Sequence, residues 1–352
     1  MTTEVDVVVI GAGQAGLSSA YFLSRSGMDH IVLDANPGPG GAWRHRWPSL
    51  RLSKVHGIHD LPGLALAHAD PDRPASEVVA AYFESYEHEF ALPVRRPVAV
   101  KAVTDLGTRL LVSTDDGDWS ARAVVNATGS WDKPFWPHYP GDFRGRQLHT
   151  VDYVGPAEFA GQRVVVVGGG SSAVQALAEI AEFAAMTTWV TRRPPRWHEG
   201  PFTIKDGRAA VARVAEAVAV GRPPESVVSV TGLTLTPDVV EARDRGILQR
   251  HPMFDRLTSD GVSWNDGKHV QADTILWATG FRAALDHLAP LRLRTPGGGI
   301  VMTGTRVAKD TRVHLVGYGP SASTIGATRA GRAAVAEIRA LLRGQELITS
   351  AG

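Results

Sequence analysis

Two clusters of small residues in this chain have the spacing that brings backbone amides up to a pyrophosphate. Gly11-Ala12-Gly13-Gln14-Ala15-Gly16 follows the apolar run Val7-Val8-Val9-Ile10, and Gly168-Gly169-Gly170-Ser171-Ser172-Ala173 follows Arg163-Val164-Val165-Val166-Val167. Each predicts a strand that turns sharply into a helix, whose unpaired first N–H groups and positive dipole end favour a bound phosphate. In the first turn Gly11 permits the bend, Gly13 admits the pyrophosphate and Gly16 allows close helix–strand packing, with Gln14 and Ala15 opening the helix at the cradle. In the second, Gly168 and Gly170 take the first two roles, Ser171 and Ser172 open the helix, and Ala173 stands where a third glycine would pack. Two such turns predict two dinucleotides facing each other, a flavin and a nicotinamide, and therefore redox chemistry.

The residues at the following strand ends select the nucleotides. His30-Ile31-Val32-Leu33 reads as a strand closed by Asp34, an acid about twenty residues past the glycines, where a ribose hydroxyl is gripped. The corresponding strand of the second turn, Thr187 to Thr191, ends instead in Arg192 and Arg193, which suit a 2′-phosphate by charge-assisted hydrogen bonds. Two arginines after a strand can also be merely solvated. NADPH is thus expected over NADH.

These sites need a frame, and the chain supplies one. At 352 residues, 43% hydrophobic and 21% charged, it has the make-up of an ordinary globular protein of two domains, or of one domain interrupted by another. A net charge of +1 argues against a nucleic-acid surface. Neither a membrane span nor a signal-peptide pattern is evident, so a cytoplasmic setting is expected. With no cysteine, the chain cannot relay electrons through a dithiol pair. Reducing equivalents must leave the flavin for oxygen, a small acceptor or a substrate. Two further apolar strands end in Ala127-Thr128-Gly129 and Ala278-Thr279-Gly280, and they are read as crossings between a flavin unit and an inserted nucleotide unit. The expected fold is α/β, with two Rossmann-like dinucleotide-binding domains. Residues 1–150 and 273–352 form the FAD domain, and 151–272 form the inserted NADP domain. Residues 202–255 show no catalytic constellation and are read as elaboration of the nucleotide domain. His56, His59 and Asp60 lack a further ligand set, and no metal site is expected. Phe135, Trp131 and Trp136 either cover the site or pack ordinarily.

Between the two turns, Phe143-Arg144-Gly145-Arg146-Gln147-Leu148-His149-Thr150-Val151-Asp152-Tyr153 has the pattern F-x-G-x-x-x-H-x-x-x-Y, and Gly40-Gly41-Ala42-Trp43 adds a Gly-Gly-x-Trp loop. With the two glycine turns, the chain resembles the class B flavoprotein monooxygenases over nearly its whole length, and most nearly the small bacterial flavin-containing monooxygenases. Baeyer–Villiger monooxygenases are relatives in that class, but Tyr153 is followed by Val154, not by their usual Pro or Asp. The hydrophobic C-terminal anchor of the mammalian enzymes is not expected here. The resemblance implies FAD and NADPH as cofactors, with O2 and a small-molecule substrate as the partners. It implies transfer of one oxygen atom from a C4a-(hydro)peroxyflavin, by sulfoxidation, N-oxygenation or Baeyer–Villiger oxidation of a ketone. The alternatives are an NADPH oxidase or flavin reductase without oxygen insertion and, third, a non-catalytic dinucleotide sensor. A homodimer is left open.

The same resemblance assigns further residues. Gly41, Ala42 and Trp43 lie along the flavin, with Trp43 near its ring or the nicotinamide. In Ser49-Leu50-Arg51-Leu52-Ser53-Lys54, Leu52 touches the cofactor and Ser53 falls where mammalian-type members carry an Asn beside the flavin. Trp43 and Ser53 are accordingly the catalytic candidates. Near the end, Gly319, Thr324 and Ile325 belong to a turn and last helix aimed at the flavin pyrimidine edge, in a stretch from Gly317 to Gly326 without an acid. His149 is assigned to linking nucleotide binding with domain geometry, not to base catalysis.

Overall fold

The valine runs build two sheets whose central strands are parallel and buried on both faces. In the computed structural model, which describes residues 2–55, 58–198, 204–224 and 232–350, strand Thr2–Ile10 lies at the centre of the first sheet. It pairs in parallel with His30–Leu33 on one side and Asp118–Asn126 on the other. Alternate side chains point to opposite faces of a strand. Val7 and Val9 enter one core with the Gln14–Ser26 helix, while Val8 and Ile10 enter a second core on the other face. Each fully buried valine contributes about 1.5–3 kcal/mol. The sheet continues in parallel through Val313–Leu315, and an antiparallel meander (Val100–Asp105, Leu110–Thr114) runs into Asp118–Asn126. The Gln14–Ser26 helix ends at Gly27, whose φ of +73° makes the left-handed cap. It packs on the C-terminal helix Thr324–Ser350, where a Cβ at Gly331 would stand 2.9 Å from Ser18 Oγ.

The second sheet is wholly parallel, in the order Arg250–Pro252, Met186–Thr191, Arg163–Val167, Thr274–Trp277, Arg146–His149. The same alternation holds: Val164 and Val166 face one core, Val165 and Val167 another. Two of its strands correct the expected division of the chain. Arg146–His149 and Thr274–Trp277 were expected in the first unit, but parallel pairing places both in the second sheet. The second sheet therefore begins before residue 150 and runs past residue 272. A three-stranded antiparallel sheet (Arg256–Thr258, Gly261–Ser263, His269–Gln271) precedes the last strand of this unit. Among the described residues no helix is long and apolar enough to cross a membrane, and no group of His, Cys, Asp and Glu could hold a metal. His56 lies outside the described residues.

Candidate functional site

Each glycine turn stands at the C-terminal edge of its sheet, and each opens on a cavity. In the first, Gly11 has φ +96°, and a Cβ there would sit 2.7 Å from the Ala127 carbonyl oxygen. A Cβ at Gly16 would lie 1.8 Å from Gly11 O, so Gly16 is a packing glycine beneath the turn. Gly13 differs. It caps the helix in an extended conformation, and its Cβ would meet nothing nearer than Gly41 Cα at 3.9 Å. The space it leaves belongs to a cavity of about 400 Å³. Gly11, Gly13, Gln14, Ala15, Asp34, Gly41, Ala42, Trp43, Ala127, Thr128 and Gly129 all line that cavity. The Gly40–Gly41 bend, at φ +113° and +51°, folds the loop back until a Cβ on Gly41 would touch Gly13 Cα at 2.7 Å. Trp43 follows in a short 3-10 turn and packs against cores from both units.

Asp34 is 3% exposed. Its Oδ1 accepts from the Asn36 backbone and side-chain N–H groups at 3.0 and 2.9 Å, and its Oδ2 accepts from Arg96 Nε at 3.3 Å. Arg96 also grips Glu87 through two 2.6 Å hydrogen bonds. A carboxylate has about four acceptor positions, so Asp34 is oriented by these partners and keeps capacity for a further donor. Arg46 enters the same cavity between the rings of Trp43 and Trp131, at 5.7 and 4.9 Å, and no carboxylate among the described residues pairs with it. Sequence reasoning missed Arg46, Asn36, Arg96 and His287. Only Arg46 carried a local signal, its place three residues after Trp43.

The second cavity, about 860 Å³, is lined by Gly168, Gly170, Arg192, Arg193, Ala278, Thr279 and Gly280. Gly168 has φ +147°, and a Cβ on it would lie 2.2 Å from Ala278 O, whereas a Cβ on Gly170 would meet open space. Ala173 is fully buried against the sheet, as a residue in the packing position should be. Neither Ser171 nor Ser172 lines this cavity. Arg192 and Arg193 are exposed at the strand end, and Arg196 joins them in the wall. The turn that aims them is pinned twice: Thr191 Oγ1 donates to Arg193 O at 2.7 Å, and Arg250 donates to Thr191 Oγ1 and O at 2.7 and 3.2 Å.

Two crossing segments join the cavities. Residues 127–135 and 278–284 run side by side, tied by Phe135 N–H to Gly280 O at 2.9 Å, Arg282 N–H to Lys133 O at 2.8 Å and Ala284 N–H to Gly129 O at 2.9 Å. Thr279 Oγ1 donates to Phe135 O across the pair. One end of this ribbon walls the first cavity and the other end walls the second. The linker signature braces it. His149 is completely buried, donates from Nε2 to Gly280 O at 3.1 Å and accepts the Val151 N–H on Nδ1 at 3.2 Å. Burial lowers its pKa, and with both nitrogens engaged it is a neutral structural residue. Gly145 leaves room for the Phe143 ring and the Asp273 carbonyl. Tyr153 OH donates to Glu179 Oε2 at 2.9 Å, and Ser49 Oγ donates to the same oxygen at 2.6 Å, so one carboxylate ties the first unit's loop to the second unit's helix.

Several of the expected residues do not line the first two cavities. Leu52 and Ser53 do not line the first cavity. Their 3-10 turn hangs from Arg73 O and Pro71 O, which turns Ser53 into a third cavity of about 700 Å³ beside Ser171 and the Lys54–Asp238 ion pair. Gly319 has φ +58° and packs on Val218; Gly317, Ala322 and Ser323 line the first cavity in its place. Thr324 and Ile325 open the last helix, but their side chains lie outside the described residues.

The comparisons with known proteins agree with this architecture. The family model for pyridine nucleotide-disulphide oxidoreductases matches residues 8–204. The flavin-containing monooxygenase of Stenotrophomonas maltophilia is 40% identical in a structural match of TM-score 0.83 that covers 97% of this chain and all of that one. An uncharacterized oxidoreductase (CzcO-like) of Geobacillus kaustophilus is 27% identical over 79% of this chain and 80% of its own length. The indole-3-pyruvate monooxygenase YUCCA1 of Oryza sativa is 29% identical over 78% and 76%. The chain belongs to the flavin-containing monooxygenases, an oxidoreductase family, and shares the pyridine nucleotide-disulphide oxidoreductase family model.

Proposed function

We propose that this protein is an FAD-dependent, NADPH-using monooxygenase that transfers one oxygen atom from O2 to a small molecule. One observation carries the reading: two cavities, each opening on a glycine cradle at a helix N-terminus, share the 127–135 and 278–284 ribbon as a common wall. In this reading the strands of the first sheet with their helices form the FAD domain, and the second sheet forms an inserted NADP domain, both Rossmann-like. The first cavity takes FAD, with the open space at Gly13 for the pyrophosphate and Asp34 for the adenosine ribose. The second takes NADPH, with Gly170 at the pyrophosphate and Arg192, Arg193 and Arg196 around the 2′-phosphate. Bound FAD supplies hydride acceptance from NADPH and the activation of O2.

The chain's own groups bind, orient and exclude water. Trp43, packed between both units, shields the face where flavin and nicotinamide would meet, and the Arg46–Trp131–Phe281 stack closes the same side. His149, with both nitrogens occupied, fixes the ribbon and moves no proton. One relative's name, indole-3-pyruvate monooxygenase, points to a keto acid as a substrate class; the resemblance to the flavin-containing monooxygenases adds soft sulfur or nitrogen centres, and a cytoplasmic setting belongs to the same reading. The test is anaerobic mixing of the yellow holoprotein with NADPH or NADH. Rapid bleaching with NADPH and much slower bleaching with NADH supports the reading, whereas a colourless protein or an equal response refutes its cofactor assignments.

A further inference from the structure

One ring in the wall of the first cavity has a fixed polarity and no task. His287 lies in the 3-10 turn Asp286–Leu291, just past the second crossing, and lines the cavity with Ala284 and Thr128. Its Nε2 is 2.6 Å from Asn126 Oδ1. Asn126 Nδ2 is 3.1 Å from Thr128 Oγ1, and the Thr128 hydroxyl lies 2.6 Å from Ala284 O, an acceptor only. The chain of donors therefore runs one way. Thr128 spends its single proton on Ala284 O, Asn126 gives an amide proton to Thr128, and the Asn126 carbonyl must accept, so the proton of His287 sits on Nε2. Burial pushes the His287 pKa down to about 4, which leaves the ring neutral near pH 7 and Nδ1 a bare lone pair. Among the described residues nothing donates to Nδ1, and the atom is not sealed inside the protein. It is an acceptor in reach of the cavity.

Asn126 pairs in register with Ile10, the residue before the cradle glycine, one strand spacing (roughly 5 Å) away, and His287, held on the Asn126 side chain, lines the same cavity as Gly11 and Gly13. On either side of a dinucleotide's pyrophosphate the nearest donors are sugar hydroxyls; the phosphates themselves offer none. We propose that His287 Nδ1 accepts a hydrogen bond from a sugar hydroxyl of the dinucleotide held in the first cavity, which makes His287 a cofactor-positioning residue. The inference rests on the assignment of FAD to that cavity. The hydroxyl belongs either to the adenosine ribose or to the ribityl chain.

The full chain stripped of flavin, as wild type and as His287→Phe, is titrated with FAD and with ADP, which carries the ribose but no ribityl chain. One neutral hydrogen bond predicts a loss of about 3- to 10-fold in FAD affinity. A matching loss for ADP assigns the ribose, and an unchanged ADP affinity assigns the ribityl chain. FAD affinity that is unchanged in His287→Phe overturns the proposal while leaving the FAD assignment intact; wild type that fails to bind FAD overturns both. A second measurement needs no variant. The ¹⁵N signals of His287 in the wild type are expected to show protonation at Nε2, with the Nδ1 signal shifting when FAD is added. Protonation at Nδ1, or an unmoved Nδ1 signal with FAD bound, refutes the proposal.

Discussion

Gly13→Thr separates the fold of the first turn from its binding of cofactor. The backbone at Gly13 is extended, at φ −83° and ψ −170°, and the nearest atom to an added Cβ is Gly41 Cα at 3.9 Å, an ordinary contact. The fold therefore has room for the substitution. Thr is about as good an N-cap as Gly, so helix stability should change by no more than a few tenths of a kcal/mol. The cradle loses twice over. The threonine methyl fills the space left for the pyrophosphate, and its hydroxyl accepts from the same first-turn amides. Two charge-assisted hydrogen bonds are worth about 1.5–3 kcal/mol each, so FAD should bind roughly 10²- to 10⁴-fold more weakly. Gly11→Ala is the contrasting control: at φ +96°, with its Cβ 2.7 Å from Ala127 O, it should lose about 1 kcal/mol or more of stability before cofactor is considered. The assay pairs the flavin-to-protein ratio after gel filtration with the urea midpoint of the stripped chain. Gly13→Thr that retains a full complement of FAD would refute the assignment of this cradle.

Three further outcomes follow from the same geometry. Replacing Arg192 or Arg193 by Gln should lower NADPH affinity by about ten- to a hundredfold while leaving NADH nearly untouched, measured as paired Kd values; an unchanged ratio in both variants contradicts the 2′-phosphate role. Tyr153→Phe removes a 2.9 Å hydrogen bond to Glu179 and should cost about 1.5–3 kcal/mol in urea unfolding, and a cost under about 0.5 kcal/mol would show that the tie between units carries no load. His314 is fully buried, with its pKa lowered to about 4 by desolvation, so between pH 6.5 and 4 the unfolded chain takes a proton that the folded one refuses. His314 should contribute about 3 kcal/mol to the fall in stability as pH drops through that window, His287 adding its own share, and His314→Gln should make the slope shallower; parallel slopes in both proteins would refute the origin.

Much of the fold was legible because strand, glycine turn and helix are local patterns. The runs Val7–Ile10 and Val164–Val167 are buried on both faces in the structure, as uninterrupted valines imply. Arg192 and Arg193 fall at a cavity wall because a strand end fixes where its next residues emerge. What no local pattern carries is tertiary. Ser53 and Leu52 turn away because two backbone hydrogen bonds to Arg73 and Pro71 rotate their segment. The strands at 146–149 and 274–277 change sheets through parallel pairing that no local signal announces. His287 with Asn126, Arg250 with Thr191, and Arg96 with Asp34 meet across separations of about sixty residues or more, so neither member of each pair marks the other.

The central claim is that the redox cycle ends with an oxygen atom in a substrate. The direct measurement supplies holoprotein and NADPH with ¹⁸O2 and a simple thioether, amine or ketone, and reads the product by mass spectrometry. The account predicts one ¹⁸O per product molecule, formed only when NADPH is present. NADPH consumption accompanied by labelled hydrogen peroxide, with no label in any of the three substrates, would contradict it and identify an oxidase.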